Sequence, residues 1–230
     1  GVIALPTFSS PSDTAELAQL IDQLPPDVIA TLAGLTDAQA GVVVMVGYLF
    51  APLFLILPLM MASLVAAESF VGEKERKTLE ALVYTPATDL ELFLGKVTAA
   101  LVPALLFAWI NFAAYAIVAN IAAWPLMGRV WFPTIAWWGI MVWLVPAIAL
   151  LGVSVTVMIS SRVSTFIEAY QISGMLAVVV VGLFIGQLSG ALFLSPLLLA
   201  GIGGALYAID AALIFYGSET FTRSELVAKC

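Results

Sequence analysis

Six charged side chains crowd into the fifteen residues GEKERKTLEALVYTP, Gly72–Pro86, of a chain that is otherwise 63% hydrophobic. What chemistry they could do is narrowed by what the chain lacks. It has no histidine, which excludes a histidine general base, an HExxH zinc site and a Ser–His protease. Its one cysteine, Cys230, is the last residue, so neither an intrachain disulfide nor a CxxC metal site can form. The stretch LFLGK, Leu92–Lys96, lacks the earlier glycine and the following Ser/Thr of a nucleotide-binding P-loop. A net charge of −7 without a basic patch beyond the loops argues against nucleic acid. The charges therefore point to recognition, and the chain to something other than an enzyme.

The elements that must position them are set by composition. Only 10% of residues are charged and the mean hydropathy is +1.11, against roughly 25% charged in soluble domains. Uncharged runs cover 41–67, 97–128, 130–161 and 169–209, and about 18 apolar residues suffice for one transmembrane helix. The last run is long enough for two spans, with the Gly, Ser and Pro of GQLSGALFLSP, Gly186–Pro196, as a turn between them. The expectation is an all-α integral membrane protein with five spans, at about 42–67, 97–120, 133–159, 169–188 and 196–217.

Basic residues are retained on the cytoplasmic side of a membrane. Lys74, Arg76, Lys77, Lys96, Arg162, Arg223 and Lys229 all fall on one side of this topology, and only Arg129 on the other. Arg129 is flanked by Trp124, Trp131, Trp137 and Trp138, whose rings favour the membrane–water interface. Residues 1–40 carry five acids and no base. They are placed outside as a small extracytoplasmic segment of short amphipathic helices, with the loop 68–96 and the C-terminus cytoplasmic. An external N-terminus needs a preceding span to translocate it, and the chain begins without Met. A six-span parent, with one helix before Gly1, is the expectation that follows.

The loop from Glu68 to Lys96 holds ten of the 23 formal charges. On a helical wheel Leu79, Leu82 and Val83 share a face with Val71, while Glu73, Lys77 and Glu80 lie opposite. Glu73/Lys77 and Arg76/Glu80 are i,i+4 pairs of opposite sign. Pro86 ends this helix, and ATDLELF restarts one with Thr88 or Asp89 as its cap and Glu91 in the first turn. Such a helix could lie on the inner leaflet. Six acids against four bases in the loop suit a protein partner better.

The stretch AAESFVGEKERKTLEALVYTPATDLELFLGKV resembles the first cytoplasmic loop of ABC-2 type permeases, the membrane subunits of a branch of ATP-binding-cassette exporters. That motif runs E-[KR]-x-x-x-T-L-E-x-L, then Thr-Pro, then Gly-Lys before the next helix. It is matched at Glu73, Glu75, Arg76, Thr78, Leu79, Glu80, Leu82, Thr85, Pro86, Gly95 and Lys96. ISSRVSTFIEAYQISG, Ile159–Gly174, and FTRSELV, Phe221–Val227, are similar to later family segments. The resemblance spans about 42–230, leaves residues 1–40 unmatched, and leans towards sodium-exporter-like permeases.

The resemblance implies that Glu73, Glu75, Arg76, Lys77, Thr78, Leu79, Glu80, Leu82, Val83, Thr85 and Pro86 form a coupling helix docked on a separate ABC ATPase subunit. That subunit would bind ATP and Mg, leaving this chain without a cofactor or metal of its own. Arg162 and Glu168 are candidates for a second cytoplasmic contact. A second permease copy or a related permease, in the same cell-membrane bilayer, is implied as well, as is a short re-entrant hairpin near Gly186–Pro196, where a plain turn is the alternative. Asp210 is the one ionisable residue well inside a span, a candidate for the transport pathway by the rule that intramembrane acids are functional. It lies about 10 Å from the inner end of its span at about 1.5 Å per residue, within reach of water. Asn111, Asn120 and Gln187 read first as helix–helix hydrogen bonds. The competing function is a secondary transporter or channel without an ATPase partner; it would call for more intramembrane charges or an internal repeat, and none is visible.

Overall fold

The computed structural model describes residues 29–30, 32–76, 88–160, 162–188 and 196–220. Among them five helices are long and apolar enough to cross a bilayer, and no strand forms. They are α1 (Asp37–Glu75), α2 (Asp89–Met127), α3 (Ile135–Ser160), α4 (Phe166–Gln187) and α5 (Pro196–Thr220). The all-α, five-helix membrane architecture expected from hydropathy is the one observed. Residues 1–28, most of the turn before Pro196 and the C-terminal segment from Phe221 lie outside the described residues.

Both α1 and α2 are 39 residues long, on the order of 58 Å at 1.5 Å per residue. That is nearly twice the roughly 30 Å of a hydrocarbon core, so both helices project beyond it. Their ends are fixed by caps rather than by hydropathy. Thr36 caps α1 in a reciprocal capping box with Gln39, and the Gln39 side-chain amide donates to the Leu126 carbonyl at 2.9 Å, tying α1 to the far end of α2. Thr88 caps α2 in the same way with Glu91. Gly128 ends it in the left-handed conformation at φ 62°, a region open to glycine because it has no Cβ.

The sequence pattern puts a loop from residue 68, yet α1 continues through a wide turn, Glu68–Gly72, to Glu75. Phe70 and Val71 are buried in one apolar cluster with Phe93, Val97, Val163 and Ala169, which keeps this segment helical and attached.

Helix α3 is the central element, packed against the other four. Its approach to α1 depends on Gly152, where a Cβ would sit 2.9 Å from both the Leu59 carbonyl oxygen and the Ser63 hydroxyl. Ala62, Ala66, Ala149 and Val153 continue this narrow seam. In lipid, where apolar contact between helices has no hydrophobic drive, such close van der Waals packing is what holds helices together.

The half of the bundle that holds the start of α1 is organised around a break in that helix. Residues Met45–Leu49 form a π-turn and Pro52–Leu55 a tighter 3-10 turn, because Pro52 has no N–H to continue the ladder. The Ala51 N–H then bonds the Tyr48 carbonyl, three residues back. The carbonyls of Val46 and Gly47 take side-chain donors, and that of Tyr48 takes one in addition. The Tyr115 hydroxyl of α2 donates to Val46 at 2.7 Å, the Trp137 indole of α3 to Gly47 at 2.6 Å, and the Gln187 amide of α4 to Tyr48 at 3.0 Å. Around them Phe54, Phe112, Tyr115, Phe132 and Trp137 stack and abut with centroids 5.0 to 6.3 Å apart.

Two expectations change here. Trp137 is fully buried rather than interfacial, because its N–H has a carbonyl to satisfy inside the protein, whereas Trp124 and Trp138 remain exposed. Of Asn111, Asn120 and Gln187, only Gln187 joins two helices. Asn111 bonds its own helix at Phe107, and Asn120 braces the connection to α3 through the Phe132 carbonyl and the Trp131 and Phe132 N–H groups.

Inter-helix hydrogen bonds in membranes are worth about 0.6 kcal/mol on average and up to about 1.7. Trp137→Phe and Tyr115→Phe should therefore each lower the melting temperature of the purified protein in mild detergent. Asn111→Ala, which breaks no contact between helices, should leave it close to unchanged.

Candidate functional site

The Glu75 end of α1 carries charges singled out above, and three of its consecutive residues reach across to other elements. Glu73 pairs with Lys96 of α2, Oε2 to Nζ at 2.6 Å. The same ammonium donates to the Ser69 carbonyl and lies 5.5 Å from the centroid of the Phe70 ring. Lys96 is 8% exposed, which is tolerable for a lysine only because both contacts are present. Next along, the Lys74 ammonium donates to the Val163 carbonyl at 3.5 Å, a long bond. Glu75 Oε2 accepts from the Phe166 N–H at 2.9 Å, so a side chain of α1 satisfies one of the unpaired donors at the start of α4.

Arg76 turns back along α1 to Glu68, NH1 to Oε1 at 3.0 Å. Gly72 makes this path available, since a Cβ there would lie 2.7 Å from the Glu68 carboxylate. Both partners are well exposed, and an ion pair in water contributes little to stability. Thr165 caps α4 by accepting from the Glu168 N–H, and the Glu168 carboxylate accepts from the Ser164 N–H.

The structure thus brings Glu73 and Glu75 against α2 and against the turn that carries Arg162 and Glu168. Arg162 is exposed, and Glu168 serves its own helix start. The remaining residues of the proposed contact, Lys77, Thr78, Leu79, Glu80, Leu82, Val83, Thr85 and Pro86, lie outside the described residues. Sequence reasoning took Lys96 as a cytoplasmic base and a motif match but missed its burial, and it missed the link from Glu75 to Phe166. The first had a signal, a lysine between Phe93 and Val97 on an otherwise apolar stretch; the second had none, being a contact across 91 residues.

Asp210 of α5 has no exposed surface. Neither carboxyl oxygen accepts a hydrogen bond among the described residues. The water-reached position expected from its depth is therefore replaced by a covered one, because α5 lays this face on α3. Its polar neighbour is Ser154, whose hydroxyl donates to the Leu150 carbonyl at 2.8 Å. One turn earlier the Tyr207 hydroxyl donates to the Trp143 carbonyl at 3.2 Å, and Gly203 gives the Trp143 ring its space. Among the described residues no group of three His, Cys, Asp or Glu could hold a metal ion.

A buried polar group without a partner costs about 1–3 kcal/mol. Asp210→Leu, which keeps the branched shape, should raise the melting temperature in detergent. A fall would mean that Asp210 has a stabilising partner in the assembled protein.

No curated protein and no solved structure matches the chain. One family model does, described as ABC-2 family transporter protein, over residues 5–202. The match takes in most of residues 1–40, for which the sequence offered no resemblance, and it stops before Phe221–Val227. It names no subgroup. With most of its length inside that match, the chain belongs to the ABC-2 family of transporter membrane proteins and is a multi-pass ABC transporter permease.

Proposed function

We propose that this permease is the membrane half of an exporter driven by ATP and Mg bound in a separate subunit. That subunit docks on the segment 73–86. The loop 68–96 and the C-terminus face the cytoplasm and residues 1–40 the outside of the cell membrane. A second copy or a related permease completes the substrate path. The observation that carries this reading is the anchoring of Glu73, Lys74 and Glu75 to α2 and α4, at the point where the charged loop leaves the bundle. A loop that only connected two spans would need no such attachment.

In the docked helix Leu79, Leu82 and Val83 supply the apolar face, and the surrounding charges complement the rim of a groove. Truncating a central interface side chain typically costs on the order of 1–2 kcal/mol or more, whereas rim charges tune encounter rate and salt dependence. Leu82→Asp should therefore abolish co-purification of the ATPase subunit while leaving membrane insertion intact. Lys77→Ala should weaken it mildly and in a salt-dependent way. Undiminished ATPase binding by Leu82→Asp would return the segment to the role of a helix lying on the inner leaflet. Asp210 belongs to the proposed pathway as the residue whose burial without a partner has no structural benefit.

A further inference from the structure

We propose that Lys96 and Glu75 are positioning residues that split one docking movement into two, with Lys96 carrying it to α2 and Glu75 to α4. The proposal rests on the docking reading above and adds how the movement enters the bundle. Successive residues of a helix point about 100° apart, so Glu73, Lys74 and Glu75 fan out from a single turn. Their partners accordingly lie on different elements: Lys96 in the second turn of α2, the Val163 carbonyl before α4, and the Phe166 N–H that opens α4. The charged loop begins one residue further on and ends at Thr88, the cap of α2. A displacement of the loop enters the bundle at this turn and at Thr88.

The two arms differ in stiffness. The Lys96 ammonium is nearly enclosed, and its acceptors, Glu73 and the Ser69 carbonyl, both belong to α1. Moving α2 away from α1 would strand a buried charge, which is strongly unfavourable, so these two helix ends travel together. In the Glu75 arm an exposed carboxylate accepts from one backbone N–H, beside the long Lys74 contact and the apolar packing of Val163 and Ala169 on Phe70 and Val71. It can break and reform in water. The structure therefore assigns α2 to a rigid coupling and α4 to a releasable one. The Arg76–Glu68 pair stays within α1 and has no part in this division.

The test uses the permease assembled with its ATPase subunit in lipid nanodiscs, in a Cys230→Ser background. One spin label is placed on exposed Phe215 of α5, and a second on either exposed Thr98 of α2 or exposed Ile167 of α4. In the unaltered chain both distances should shift on trapping with ATP and vanadate, by on the order of 1–2 Å or more. Lys96→Met keeps the length of the buried stem; it should abolish the Thr98 shift and preserve the Ile167 shift with the ATPase still bound. Glu75→Ala should do the reverse, and Glu75→Gln, which retains an acceptor for the Phe166 N–H, should restore the Ile167 shift. Both shifts surviving in Lys96→Met and Glu75→Ala, or both vanishing in each, would overturn the division into two arms. Failure of the unaltered permease to retain the ATPase would instead overturn the docking reading, and this proposal with it.

Discussion

In hydrocarbon a backbone carbonyl has no water to bond, and an unsatisfied one costs several kcal/mol. The break in α1 at Pro52 makes that constraint act on the whole half of the bundle around it. Three successive carbonyls, of Val46, Gly47 and Tyr48, are met by donors from α2, α3 and α4. Each donor has to stand at a fixed depth and rotation to reach its carbonyl, so the register of three helices is set by one irregular turn. The aromatic cluster around Trp137 and Phe112 fills the space that this arrangement leaves.

The end of the bundle at Glu75 obeys the same rule with charges in place of aromatics. Lys96 and Glu73 meet there, where burial strengthens their attraction and the Ser69 carbonyl shares the ammonium. Between the two ends the helices touch through small residues, with Gly152 of α3 pressed on the backbone of α1. Helix α1 is thus held firmly at both ends and closely in the middle. An element so held is well suited to carry a push from a cytoplasmic partner into the bundle as a whole.

Much of this was legible in the residues. The uncharged runs gave the number of spans, and the Thr88, Asp89 and Glu91 cluster marked the start of α2, with Thr88 proving to be the cap. Hydropathy could not give the helix ends, since capping and the burial of Phe70 and Val71 carry α1 and α2 past the apolar windows. Pro52 was the one local signal of the break in α1, but the donors that complete it come from 69 to 139 residues away in sequence. Asp210 stood out as an isolated acid; that α5 covers it against Ser154 is a matter of helix rotation, on which a nearly uniform apolar sequence is silent. The motif Glu73–Pro86 pointed to the family, and the family match reached further back, to residue 5, than that motif could.

The central claim is that the charged inner loop exists to hold an ATP-hydrolysing subunit and that α1 passes its movement on. A photoreactive amino acid at Leu82, activated in intact cells, tests the contact itself, because only groups within a few ångströms of the side chain are captured. The account predicts a covalent adduct with an ATP-binding protein, and weaker capture of it from Ile110, on the lipid-facing surface of α2. Adducts with phospholipid alone at Leu82 would contradict it and place this helix on the inner leaflet.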